Sequence, residues 1–219
     1  MFGLKHTLSY SLVLLALNFI QAQPINQHGE FTKVDDMLLT SAEIEKIKKA
    51  MSDISKRTCV TFRETFHPTE PQVTIQRKYD SCVAHVGYQN GTQILNLAVD
   101  CMASGRIKHE LLHALGFVHM HCDPRRDNYV KILEENIIEG QEYNFEKYPA
   151  TEITDLGLEY DYGSIMHYST TEFTKNGLPT MIPLQPGVRI GQLDGLSPKD
   201  FQKIARVYCQ KKNNNNNAI

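Results

Sequence analysis

The period of the apolar positions changes several times along the chain, and each change marks an element. Behind Lys5, residues Leu8 to Ile20 are mostly apolar and lead into Ile20-Gln21-Ala22, the succession of basic, hydrophobic and small-residue regions that marks a secretory signal. The run is shorter than the roughly 20 residues a bilayer span requires, and no later run reaches that length. Residues 1–22 therefore read as a signal peptide without a membrane anchor, and residues 23–36, polar and without period, as a short leader or linker.

A helical period begins at Thr40. Thr40-x-x-Glu43 has the form of a capping box, and Ile44, Ile47, Met51 and Ile54 recur behind it at helical spacing. Short runs rich in β-branched residues follow at Cys59 to Phe62, Val73 to Ile75, Val83 to Tyr88 and Ile94 to Val99, which predict strands of one sheet. Arg106 to Leu115 predicts a second helix stopped by Gly116. From Pro124 to Leu196 the pattern is irregular, with Gly and Pro scattered through the second half. Ser197-Pro198-x-Asp200 then opens a last helix whose apolar face is Phe201, Ile204 and Tyr208. A folded domain over 37–209 is followed by an asparagine-rich tail, 210–219, read as disordered.

Composition narrows the class. With 219 residues, 41% hydrophobic, 22% charged and a net charge of −2, the chain is neither fibrous nor disordered, and it lacks the basic excess of a nucleic-acid partner. Export makes disulfides expected, yet five cysteines leave one over, and counting does not fix which four pair. Asn90-Gly91-Thr92 is at once a glycosylation sequon and a tight-turn dipeptide between two strand-like runs.

The chemistry concentrates in His109-Glu110-Leu111-Leu112-His113. Two imidazoles at i and i+4 lie one turn apart on a helix face and can reach one metal ion. Gly116 can take the positive φ that ends a helix sharply, which returns His119 as a third ligand. The full pattern, H-E-x-x-H-x-x-G-x-x-H, arises by chance in roughly one in a hundred thousand chains of this length at average residue frequencies. Three histidines leave one position of a tetrahedral zinc open, as in catalytic sites. Glu110 is then placed to take a proton from water and deliver it to a leaving amine. The expected activity is peptide hydrolysis without a covalent enzyme intermediate, on protein or peptide substrates, with one zinc per chain.

His109 to His119, the following Arg126-Asp127-Asn128-Tyr129-Val130, and Tyr160 to Tyr168 together resemble the astacin family of metzincin proteases. The resemblance covers about Ile44 to Cys209. It implies an α+β, metzincin-like domain of two lobes: an N-terminal mixed sheet with two long helices, a cleft, and a loop-rich C-terminal lobe ending in a helix. It also implies that Met166 forms a turn beneath the zinc site, that Tyr168 is a further ligand able to swing away and stabilise the oxyanion, and that Cys59 pairs with Cys209 and Cys82 with Cys101. By loop entropy the longer link would be worth ~5 kcal/mol and the shorter ~3. Strand Cys82 to Gly87 would line the cleft and bind substrate by strand addition. Around Gly191-Gln192 the resemblance places the pocket for the residue after the scissile bond, and Leu193, where many relatives carry Arg, predicts only weak preference for acidic residues there.

Departures are as specific as the matches. Met120 follows His119 where the family usually has Glu, which meets the amino terminus made by propeptide removal. No Phe-x-Gly-Asp motif precedes the domain, and the family's Trp-Pro segment and first strand are not recognisable. These absences predict activity that does not depend on trimming to one N-terminus. Asp123 and Arg125 exchange the signs that the family carries, giving either a reversed salt bridge or two exposed charges. Cys122 remains as the cysteine left over, read chiefly as a partly buried thiol. The alternative to an enzyme is a binding protein that keeps the fold and the zinc site.

Overall fold

A computed structural model describes residues 28–32, 39–65 and 71–209. The expected signal peptide and the asparagine-rich tail lie outside these residues. The helical period behind Thr40 becomes α1 (Ser41–Ser55). The Thr40 hydroxyl accepts from the Glu43 backbone N–H, and the Glu43 carboxylate accepts from the Thr40 N–H at 2.9 Å, which satisfies two of the donors that a helix start leaves open. Arg77 then reaches the same carboxylate at 2.7 Å.

The sheet contains β1 (His28–Thr32), β2 (Thr61–Thr65), β3 (Gln72–Gln76), β4 (Cys82–Ala84) and β5 (Thr92–Leu97), in the order β2-β1-β3-β5-β4. All neighbours are parallel except β4, which runs antiparallel to β5 along one edge. The four expected strands are thus present, shifted by one to four residues at their ends.

β1 corrects the reading of 23–36 as wholly patternless. His28 pairs with Thr61 and Phe31 with Val73, so β1 lies between β2 and β3. The sequence His-Gly-Glu-Phe-Thr has no alternation and one large apolar residue. Two neighbouring strands supply the pairing that the local pattern does not announce.

The second and third helices are α2 (Ser104–Ala114) and α3 (Pro198–Tyr208). Between them, β6 (Val130–Ile132) and β7 (Met181–Pro183) pair antiparallel within the loop-rich lobe. One buried cluster joins Ile54 of α1, Leu95 of β5 and Leu111 of α2 to Ile165, Met166 and Ile204 from the second half. A smaller cluster around Phe145 and Met181 fills the second lobe. Two disulfides close the frame, Cys59–Cys209 across 150 residues and Cys82–Cys101 across 19. Among the described residues, no helix is long and apolar enough to cross a membrane.

Candidate active site

α2 buries Ile107, Leu111 and Leu112 in the main core and turns His109, Glu110 and His113 toward the cleft. Gly116 ends the helix region at φ +92°, with its N–H on the His113 carbonyl at 2.8 Å. That reversal brings His119 back: its Nε2 lies 3.2 Å from Nε2 of both His109 and His113.

The ring nitrogens on the far side settle which atoms are available. His109 Nδ1 lies 2.8 Å from the Ile165 carbonyl, and His113 Nδ1 lies 2.8 Å from the Phe117 carbonyl. A carbonyl only accepts, so each Nδ1 carries the proton and each Nε2 presents a lone pair. Zinc–nitrogen bonds of about 2.0–2.1 Å in a tetrahedron put ligand nitrogens about 3.3–3.4 Å apart. The observed spacing fits, and these three residues could hold a metal ion. Burial lowers the pKa of all three histidines, that of His113 to about 3, so the neutral, ligating form is the one present.

Glu110 is 4% exposed, and its Oε2 is buried without a hydrogen-bond partner. Burial alone pushes its carboxyl up to about 7. An unpartnered carboxylate oxygen beside three convergent imidazoles is an open acceptor at the bottom of the cleft.

Ile165 and Met166 stand in a turn. The Met166 carbonyl accepts from the Met120 N–H at 2.8 Å, and Asp200 on α3 accepts from the Ile165 N–H at 2.9 Å and from the Ser164 hydroxyl at 2.6 Å. A chain of contacts therefore runs from the start of α3 through Ile165 to His109. The Tyr168 ring packs 4.5 Å from that of His119, and burial raises its phenol above the usual range.

Sequence reasoning missed His121. It is fully buried, its Nε2 donates to the Asn144 carbonyl at 2.8 Å, and its ring stacks 4.0 Å from Tyr168 and 5.6 Å from His119. Its only signal was its position two residues after a ligand candidate. His167 was likewise unassigned; it bonds the Tyr160 hydroxyl at 2.8 Å and the Tyr168 carbonyl at 2.8 Å, which holds the tyrosine's backbone.

Residues that the sequence left between two readings take definite places. Arg125 grips Asp123 with two nitrogens, at 2.8 and 3.0 Å, and Asp155 at 2.7 Å, so the reversed pair forms. Met120 is buried, with the Lys203 ammonium 3.0 Å from its sulfur. Cys122 is a free, buried thiol pushed up to about 12 by burial. Asn90 is exposed at φ +50°, in the turn that precedes β5.

A cleft of about 500 Å³ runs past these groups, between β4 on one side and Tyr168, Gly191 and Leu193 on the other. The His85 N–H donates to Ile94 and the Ala98 N–H to Ser81, so Ser81, Val83 and His85 turn their backbone groups toward β5. By strand alternation Cys82 and Ala84 turn theirs into the cleft.

This architecture has known counterparts. High choriolytic enzyme 1, a hatching-enzyme zinc-protease from Oryzias latipes (medaka), superposes with a TM-score of 0.78 at 33% identity, covering 84% of this chain and 92% of that one. Zinc metalloproteinase nas-14 of Caenorhabditis elegans is 39% identical over 172 residues, 78% of this chain and 34% of its own length. Seminal metalloprotease 1 of Drosophila melanogaster is 36% identical over 184 residues, 80% of this chain and 73% of its own. This chain spans about a third of the length of nas-14 and of the related nas-13. The sequence model of the astacin peptidase family matches residues 32–209. The chain belongs to the astacin family of zinc metalloproteinases, and its fold is the α+β metzincin fold.

Proposed function

We propose that this protein is a secreted zinc endopeptidase that binds one zinc through His109, His113 and His119 and hydrolyses extended peptides with Glu110 as general base. The observation that carries this reading is the convergence of three Nε2 lone pairs on one point beside the unpartnered Glu110 oxygen. Zinc held there would supply Lewis-acid chemistry, making water more acidic and polarising the scissile carbonyl. Glu110 takes the water's proton and returns it to the departing amine. Tyr168 would complete the ligand set at rest and, once swung away, its phenol would donate to the developing oxyanion. Substrate lies along β4 and exchanges backbone hydrogen bonds with Cys82 and Ala84. Residues 1–22 direct export, the catalytic domain ends at Cys209, and the exposed turn at Asn90 takes the glycan.

The second reading, a binding protein that holds zinc without cleaving, rests on Met120. The absence of a recognisable first strand no longer supports it, since β1 occupies the sheet. Zinc content and casein hydrolysis of wild type and Glu110→Ala separate the two. Both proteins should carry one zinc, and the variant should lose about 100- to 10,000-fold in rate, the range of general acid–base contributions. If both bind zinc and neither cleaves, the binding protein is the correct reading.

A further inference from the structure

A second cavity, of about 130 Å³, lies between the end of α2, residues 153–159 and α3. Much of its wall is apolar, including Leu115, Phe117, Ile153, Leu158 and Val207. Six charged residues also line it, and five of them have close partners. Arg125 holds Asp123 at 2.8 Å and Asp155 at 2.7 Å, Asp200 accepts from Ser164, Ile165 and Ser197, and Glu159 has Lys199 at 3.4 Å. Lys203 is the sixth. Among the described residues its ammonium has no carboxylate at ion-pair distance, and its one hydrogen-bond acceptor is the Met120 sulfur at 3.0 Å.

A thioether is a weak acceptor, and an ammonium carries three N–H donors, so two of them find no acceptor in the protein. Asp200, Asp161 and Asp123 favour the charge from a distance, while burial works against it and lowers the lysine's pKa overall. What this corner lacks is an acceptor in contact with the ammonium. The apolar wall sets the rest of the ligand: a cavity of about 150 Å³ admits benzene, so this one has room for a body of about six carbons. His119, Met120 and Met166 line the same cavity, and the Met120 N–H donates to the Met166 carbonyl at 2.8 Å. An occupant therefore packs on the segment that carries the third histidine.

We propose that this cavity is an effector site for a small monocarboxylate with a short apolar body, whose carboxylate accepts from Lys203 and whose occupancy strengthens zinc binding by the histidines. The coupling to zinc rests on the reading above, whereas the binding of the acid does not. The carboxylate supplies charge-assisted hydrogen bonds to the ammonium, and the apolar body leaves water for the wall. An amine of the same shape meets a like charge instead. The direction of the coupling follows from linkage. An acid that binds the arrangement in which Met120 and His119 stand as described stabilises it, and zinc, which needs the same arrangement, gains by the same factor.

The test titrates hexanoate, benzoate and hexylamine into the full chain by calorimetry, and measures zinc affinity by chelator competition with and without hexanoate. The acids should bind with Kd of about 1 mM or tighter, as suits ligands of this size, and the amine should not. Lys203→Met, which removes the charge at similar length, should weaken hexanoate by about tenfold or more. Met120→Glu gives the ammonium a carboxylate of its own and should block the acid in the same way, so the test does not depend on one variant folding. Saturating hexanoate should tighten zinc by about fivefold in wild type and not in Lys203→Met, which separates this site from any carboxylate bound at the metal. Preference for hexylamine, absence of acid binding, acid binding unchanged in both variants, or zinc affinity indifferent to bound hexanoate overturns the proposal. An active peptidase that takes no acid loses the effector site alone. A protein that takes hexanoate through Lys203 but holds no zinc overturns the peptidase reading and leaves the acid site standing without its coupling.

Discussion

Asp200 shows how far a single side chain reaches into the site. Its carboxylate accepts from the Ser164 hydroxyl and from the N–H groups of Ile165 and Ser197, while the Ile165 carbonyl accepts from His109. Asp200→Ala leaves three donors short of an acceptor and should destabilise the protein by about 3 kcal/mol. Because the lost bonds position the residue that orients a ligand, zinc affinity should also fall by about tenfold or more. Chelator competition measures it, and unchanged affinity would separate the Met166 turn from the metal site. Asp200 was legible in the sequence only as a helix-start residue. Its second role depends on Ser164 and Ile165, some 35 residues earlier, and no local pattern records that meeting. The three histidines and Glu110 were legible because one helix and one turn fix their geometry. His121 was not, since its stacking arises only when separate segments pack.

Elements differ in the same way. α1 was readable from its cap and period, and the structure adds a partner outside the helix. The Arg77 hydrogen bond, with help from Thr40, holds the Glu43 carboxyl down to about 2 from its ordinary 4.5. The sign follows directly: a depressed folded pKa gives stability that is complete above 4.5 and is lost as pH falls toward 2. Glu43→Gln should therefore cost about 1 kcal/mol at pH 7. The gap between variant and wild type should close on acidification to about pH 2. Urea titrations across that range test it, and a gap that persists at low pH would mean the carboxylate charge is not what Arg77 recognises. By contrast β1, β6 and β7 are three to five residues long. Their pairing comes from partners elsewhere in the chain, Val130 with Pro183 and Ile132 with Met181 in the case of β6 and β7.

At the scale of the molecule, Cys59–Cys209 ties the segment after α1 to the residue that ends α3. Replacing both cysteines with serine should lower unfolding stability by about 2–5 kcal/mol, measured by calorimetry. The histidine cluster should survive in the folded variant, since its holding contacts, Ile165, Phe117 and Asp200, do not pass through the disulfide. The general layout, sheet and helices first and a loop-rich lobe after, followed from residue patterns. The continuity of the core did not.

That continuity governs what the cleft can admit. Leu95, Leu111, Ile165 and Ile204 belong to one buried cluster, so the segment before Tyr168 shares a foundation with the sheet and helices, while the smaller cluster around Phe145 and Met181 backs the Tyr168 wall. A groove whose walls are tied together by the main core has little room to fold around its target. The conformational work falls on the substrate, which must arrive straightened or surrender local structure first. In a folded protein target, the bonds presented for cutting would be chosen by where that target opens spontaneously as much as by sequence, so hydrogen-exchange rates in a substrate should anticipate its cleavage map.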